Sequence, residues 1–293
     1  MITASMSLIA QAAPLLIAAC AALISEYVGL LNVGIEGLML LSAFAGISGI
    51  LLTESLGGLI PGLAIALVLG AGLSMFITAL AVYRKANIYI LGLSINLTGA
   101  GFVSVLSTRL FGNRSIVALP PELLLQPQLV KTVSAALAVL TGLGLALFCR
   151  YTKTGVRIKI LGKDAAFLDS IGVHTARLKI AAMGMSGAAA AAAGCLLSLQ
   201  LGALVPNQSA GKGWIALVLA YAGGRSVVGT ICAALLFVYL ENAIAAAQIG
   251  MEHPALLIGL PFVLGLFLII AEKLIVRLWK RYRIKSLGRR IGS

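Results

Sequence analysis

Eight apolar runs, most of them close to the length of a bilayer crossing, occupy most of this 293-residue chain. They cover residues 8–25, 37–52, 56–82, 88–108, 130–149, 180–204, 213–248 and 254–272. A spanning helix takes about 20 consecutive apolar residues. Charged residues make up 11% of the chain, where a soluble domain carries about 25%. These runs predict an all-α, polytopic integral membrane protein with about eight to ten transmembrane or half-membrane helices. The run 213–248 is too long for one ordinary span and is interrupted by Gly223-Gly224-Arg225. It divides there, and the first piece, 213–224, is short enough to be a half-helix, which is tolerated where it lines a cavity.

Charge supplies the orientation. No Lys or Arg precedes Arg84. Residues 150–179 hold seven basic and two acidic residues, and 273–293 hold eight basic and no acidic residues. Basic loops beside spans mark the cytoplasmic side. With both blocks inside, an even number of crossings must separate them, and dividing 213–248 supplies that number. Counting back places YRKAN (83–87) inside, the three-proline loop 109–130 outside and the N-terminus outside. Arg109, Arg114 and Lys131 then fall on the less favourable side. The expected organisation is a transmembrane domain over 1–272, with an internal loop at 150–179, and a basic cytoplasmic tail over 273–293. The net charge of +13 is explained by these loops and excludes nucleic acid as the expected partner. The N-terminus lacks the basic region of a secretory signal. Cys20, Cys149, Cys195 and Cys232 lie in or beside apolar runs without metal-like spacing, as packing residues do.

Catalytic chemistry is hard to find. SAGKGW (209–214) contains Gly-Lys, but Gly213 stands where a phosphate-binding loop needs Ser or Thr. There is no H-E-x-x-H and no nucleophile elbow, and no convergent acid/base set suggests an enzyme. The small-residue run SGAAAAAAG (186–194) fits close helix packing in lipid. The most unusual stretch is EYVGLLNVGIEGLM (26–39), with two glutamates, one asparagine and three glycines between apolar runs. Ionisable residues in a membrane segment are expensive and usually functional. The stretch could be a short internal loop or a break within the bilayer. Glu26 or Glu36 could pair with Arg84 or Arg157, or cap a helix N-terminus, and Asn96 and Asn242 could each be a helix–helix hydrogen bond.

SEYVGLLNVGIEGLMLLSAFAG (25–46) resembles the signature of the membrane permease subunits of bacterial ABC importers of the ribose/nucleoside class. TKTGVRIKILGKDAAFLDSIGVHTARLKIAAMGMSGAAAAAAG (152–194) is similar to that family's cytoplasmic coupling loop and following helix, with Thr152, Gly155, Arg157, Gly162 and Gly172 in register. GKGWIALVLAYAGGRSVVGTICAALLFVYLENAI (211–244) and HPALLIGLPFVLGLFLIIAEK (253–273) resemble two further blocks. The chain departs from the pattern at Asp164-Ala165, Phe167-Leu168 and Ser226-Val227-Val228, which bears on the contacts with an ATPase.

The resemblance implies a type II-like importer permease with no activity of its own and no cofactor, ATP being hydrolysed by a partner subunit. It implies an ABC ATPase, an extracytoplasmic substrate-binding lipoprotein, a second permease subunit (paralogous or identical) and membrane lipid as partners, in a bacterial inner membrane. Substrate-pathway positions carried over are Asn32 and Glu36, with Glu26 and Asn96 as further candidates. ATPase-coupling positions are Gly155, Arg157, Gly162, Asp164, Phe167, Leu168 and Gly172. Independently of the resemblance, KDAAFLDSI (163–171) can form a helix of about two turns with Asp164 near its favourable N-terminus. The solute implied is a nucleoside or related sugar-like molecule, with simple sugars, a signalling furanose and riboflavin as alternatives within the class. An ion-coupled secondary transporter using Glu36 and Glu241 is the alternative outside it.

Overall fold

The computed structural model describes residues 2–112 and 116–248, and positions 263, 265, 267 and 270. The backbone is built from ten helices in that range: α1 Ile2–Val28, α2 Ile35–Thr53, α3 Leu59–Arg84, α4 Ile88–Phe111, α5 Pro127–Tyr151, α6 Lys153–Leu161, α7 Ala165–Ser170, α8 Thr175–Leu201, α9 Lys212–Ala222 and α10 Val227–Gln248. Seven of these are long and apolar enough to cross a membrane; α9 is apolar but has only 11 residues. At about 1.5 Å per residue it rises about 16 Å, roughly half of a hydrocarbon core of about 30 Å. Most of the proposed last span 254–272, and the tail 273–293, lie outside the described residues.

Long antiparallel helices define two ends of the bundle. At one end, the two-residue strands β1 (Val117–Ala118) and β2 (Ala203–Leu204) pair antiparallel, and Gln200 of α8 donates to the Ala10 carbonyl of α1 at 2.6 Å. At the other end, α6 and α7 sit beneath the C-terminal end of α1, where Gly162 N–H donates to the Tyr27 carbonyl at 3.0 Å. α1 is the central element. Ala12 to Leu23, Pro14 included, are all buried, packed by α5, α8, α9 and α10. α2 and α3 complete the inner layer against α8, and α4 lies outside α2.

Small residues set these distances. In lipid no hydrophobic drive pushes helices together, so packing relies on close approach at small side chains. A Cβ on Gly70 of α3 would lie 2.6 Å from the Gly187 carbonyl of α8 and 2.7 Å from Ala191 Cβ. The run at 186–194 is therefore the seam between α8 and its neighbours, as the packing reading expects.

The segment 150–179 is not one loop: it holds two short helices, α6 and α7, between the end of α5 and the start of α8. Thr152 caps α6 by accepting from Gly155 N–H at 3.0 Å, and Asp164 caps α7 by accepting from Phe167 N–H at 2.9 Å. α7 is the short helix expected after Gly162; α6 was not expected, because its mixed charged and apolar sequence reads as a basic loop. The loop before α5 ends earlier than expected, with Pro127 in the first turn of the helix, where a missing N–H costs nothing.

Candidate functional site

Two connections of the inner layer, α1 to α2 and α8 to α9, run into the bundle, and the helix N-termini they lead to meet. α1 stops at Val28. Gly29 takes φ +75, a left-handed conformation that glycine enters without a Cβ penalty, and the chain runs irregularly to Gly34 before α2 begins. Asn32, in the middle of this break, is fully buried. Its Nδ2 donates to Ser186 Oγ of α8 at 3.1 Å and to Ser74 Oγ of α3 at 3.4 Å. Ser74 lies ten residues before the end of α3 and Ser186 eleven after the start of α8, which puts Asn32 about 15 Å in from those helix ends. The break is therefore within the thickness of the bundle.

The second interruption follows α8. After β2 the chain does not continue to a surface loop but re-enters, and α9 starts at Lys212 against the first turn of α2. Gly211 N–H donates to Glu36 Oε1 at 3.1 Å. A Cβ on Gly213 would lie 2.6 Å from Glu36 N and 2.7 Å from Glu36 Cα, so the approach of α9 to α2 requires glycine there. Neither helix has a capping side chain of its own. Both are capped from elsewhere in the chain: α9 by Glu36, and α2 by Asn96 of α4, whose Oδ1 accepts from Gly37 N–H at 2.8 Å while its Nδ2 donates to the Val33 carbonyl at 3.0 Å. Helix N-termini carry partial positive charge, so a carboxylate between two of them is electrostatically favoured.

Several polar atoms here are buried without a protein partner: Asn32 Oδ1, Glu36 Oε2, Gln208 Nε2 and Ser209 Oγ. Buried polar groups are normally hydrogen-bonded, so a cluster of exceptions calls for an explanation. Two cavities flank the node along α4. One of about 310 Å³, toward the β1–β2 end, is lined by Leu40, Val103, Ser104, Leu204, Pro206 and Asn207. One of about 340 Å³, toward the α6–α7 end, is lined by Leu31, Val33, Tyr89, Leu93, Trp214 and Tyr221. A larger cavity of about 640 Å³ lies among the start of α1, residues 119–127 and the end of α8; none of the node residues lines it.

The remaining predicted residues separate into three groups. Glu26, 10% exposed, pairs with Arg225 just after α9, Oε1 to Nε 3.0 Å, and Arg225 also lies over the Tyr221 ring at 5.0 Å. The expected partners Arg84 and Arg157 are not used, because the break after α9 returns to the end of α1. Gly162 touches α1 directly: a Cβ there would meet the Tyr27 oxygen at 2.5 Å and Gly29 N at 2.9 Å. Arg157, Asp164, Phe167 and Gly172 are exposed on the α6–α7 face. Two of the coupling candidates are buried within the chain. Leu168 is 0% exposed, turned into the main core, while Phe167 is 50% exposed; adjacent residues on one short helix face about 100° apart, so only Phe167 is available to a partner. Gly155 is buried where α6 packs on the Phe148 carbonyl and Cys149 of α5, with no room for a Cβ. Glu36 and Glu241 are not brought together. Asn242, next to Glu241, donates to Gln11 near the start of α1 at 2.8 Å, far along the bundle from the node. Among the described residues no cluster of His, Cys, Asp or Glu could hold a metal ion.

Gln208, Ser209, Gly211 and Gly213 were not anticipated. The available signal was the polar, glycine-bearing stretch NQSAGKG (207–213) between two apolar runs, the same pattern that marks residues 26–39.

A family model described as "Branched-chain amino acid transport system / permease component" matches residues 5–271. The chain is 31% identical over 223 residues to a protein named putative glucose ABC transporter permease protein TsgC13 from Haloferax volcanii, covering 70% of this chain and 65% of that one. It is 25% identical over 249 residues to guanosine ABC transporter permease protein NupQ from Bacillus subtilis, covering 79% of this chain and 78% of that one. The chain thus spans just under two thirds of the length of the first of these relatives. No solved structure matches it.

Proposed function

We propose a function from one premise: the chain belongs to the family of branched-chain amino acid transport system permease components. It is a multi-pass membrane permease, not an enzyme, and its proposed role is the membrane-spanning subunit of an ABC importer that moves a nucleoside or related sugar-like solute into the cell. The observation that carries this reading is the meeting of two re-entrant connections within the bundle, with Glu36 between the N-termini of α2 and α9 and a cavity on either side along α4. Irregular backbone at membrane depth is tolerated where it lines a cavity, and discontinuous helices with converging N-termini are a recurrent way to build a solute site near the midplane. Names of relatives that specify glucose and guanosine support the solute class.

In this reading the α6–α7 end is cytoplasmic. Arg84, Lys85, Arg150, Lys153, Arg157, Lys159, Lys163, Arg177, Lys179 and Arg225 all belong to it, which the positive-inside rule supports. The N-terminus is then external and the tail 273–293 internal. An ATPase subunit docks on Phe167, Arg157 and Asp164, an external binding protein delivers the solute at the β1–β2 end, and a second permease, paralogous or identical, completes the pathway. Motion of α6–α7 reaches the α1–α2 break through the Gly162–Tyr27 hydrogen bond and the Lys159 ammonium, 5.8 Å from the centre of the Tyr27 ring.

The test is uptake by intact cells with and without this gene, using labelled nucleosides, ribose, glucose, galactose and riboflavin, with ATP depleted or the proton gradient collapsed. ATP-dependent loss of one compound's uptake supports the reading and names the solute. Uptake that survives ATP depletion but stops with an uncoupler sinks it in favour of ion coupling.

A further inference from the structure

We propose that Glu36, Gln208 and Ser209 form a hydroxyl-binding site at the centre of the pathway, which selects neutral solutes with adjacent hydroxyl groups. This deepens the importer reading and rests on it. Ser209 is 1% exposed and its Oγ has no partner. Gln208 holds its Oε1 on the Val205 N–H at 3.1 Å and leaves Nε2 without one. Glu36 holds Oε1 on the Gly211 N–H and leaves Oε2 buried and unpaired. Three side chains of one re-entrant junction each have one anchored or fixed end and one unused polar atom.

The unused atoms are a carboxylate acceptor, an amide donor, and a hydroxyl that does both. A pair of neighbouring solute hydroxyls offers the complementary set, since each hydroxyl donates once and accepts from others. The electrostatics favour a neutral solute. The N-termini of α2 and α9 each present roughly half a positive charge, together close to the single negative charge of Glu36. Lys212, half-exposed at the start of α9, makes no ion pair with Glu36. An anion would meet the carboxylate, and a cation would meet two helix N-termini and the amide donor. Access comes from the 310 Å³ cavity, whose lining includes Leu40, one turn along α2 from Glu36, and Asn207, adjacent to Gln208. That volume lies at the small end of the range of about 300–1,000 Å³ for ligand sites. All three unused atoms are buried in this conformation, so the site is shut here and opens when the re-entrant segment moves away from α2.

The experiment uses the importer reconstituted in proteoliposomes with its ATPase and binding protein, and two matched pairs: guanosine with 2′-deoxyguanosine, and glucose with 2-deoxyglucose. Wild type prefers the fully hydroxylated member of the pair it carries. Ser209→Ala, Gln208→Met and Glu36→Gln each reduce that preference about tenfold, the effect of one lost hydrogen bond of about 1.4 kcal/mol. A second measurement separates solute binding from a structural role: thermal unfolding of the permease alone. Removing an atom that has no partner leaves the midpoint unchanged or raises it for Ser209→Ala, whereas a structural polar network loses stability when cut; Gln208→Met also loses the bond from Val205 N–H and is read for solute preference alone. Preference retained in all three variants overturns this inference alone, as does a lowered midpoint with preference intact. A wild type that carries neither pair overturns it together with the solute class on which it rests.

Discussion

Replacing Gly162 with alanine tests whether the α6–α7 segment acts on the pathway through α1. In the native junction Gly162 N–H donates to the Tyr27 carbonyl at 3.0 Å, and a Cβ would lie 2.5 Å from that oxygen and 2.9 Å from Gly29 N. Favourable contacts of this kind are about 3.5 Å or more, so the junction must open by roughly 1 Å. Every clashing atom is backbone and none can move away by changing rotamer. The added methyl costs about 1–3 kcal/mol as overpacking, and the lost hydrogen bond about 1 kcal/mol. Together these favour the undocked arrangement by about 2–4 kcal/mol, a shift of roughly 30- to 1,000-fold in the docking equilibrium. The assay is solute uptake and ATP hydrolysis measured on the same proteoliposomes, with size-exclusion behaviour in detergent as the check on folding. The variant is expected to insert and elute as wild type and to hydrolyse ATP, but to import at least tenfold less solute per ATP. Gly172→Ala is the comparison: it meets no atom within 4 Å and is strained only by its φ of +79, so its uptake per ATP changes little. Wild-type uptake per ATP in Gly162→Ala would refute the mechanical link.

Three further outcomes are expected. Leu168→Ala lowers stability by about 2–5 kcal/mol, as for a buried leucine, while Phe167→Ala leaves the unfolding midpoint nearly unchanged and weakens co-purification of the ATPase subunit; the opposite pattern would restore Leu168 as the docking residue. Arg225→Met lowers the unfolding midpoint more than Glu26→Gln does, because the first strands a mostly buried carboxylate and the second leaves a largely exposed guanidinium in contact with water; equal effects would mean the pair behaves as a surface bridge. Asn96→Ala removes the cap on α2 and one bond to the Val33 carbonyl, at a cost of about 1–2 kcal/mol, read as a lower midpoint in thermal unfolding.

What could be read from the chain was local. Apolar run lengths place the spans, and glycine density places the interruptions at 29–34 and 223–226, because both signals are carried by neighbouring residues. Asp164 as a cap is legible for the same reason. The partners of the charged residues are not. Glu36 meets Gly211 and Glu26 meets Arg225, contacts made by segments that are distant in sequence, and any basic residue near the same end of a helix was an equally good candidate on paper. Leu168 and Phe167 are chemically alike, and which one is buried depends on the rotation of α7 against α6 and α8, for which six residues carry no periodicity. α6 was missed because its buried positions, Gly155, Ile158 and Leu161, alternate with Lys and Arg that read as a headgroup-binding loop. The re-entrant segment 205–211 was visible as polar composition, but its destination was not.

The glycine seam between α3 and α8 has a mechanical consequence. Where backbones touch with no side chain between them, as at Gly70 and Gly187, sliding by a fraction of an ångström meets hard overlap at once, and there are no rotamers to absorb it. Leucine-lined contacts yield; these do not. α2, α3 and α8 are therefore packed as one stiff unit, to which Asn32 is tied through Ser74 and Ser186. Compliance is left to the irregular segment 205–211, which lies outside this seam, so the part of the molecule that holds the unpaired polar atoms of Gln208 and Ser209 is also a part that can bend.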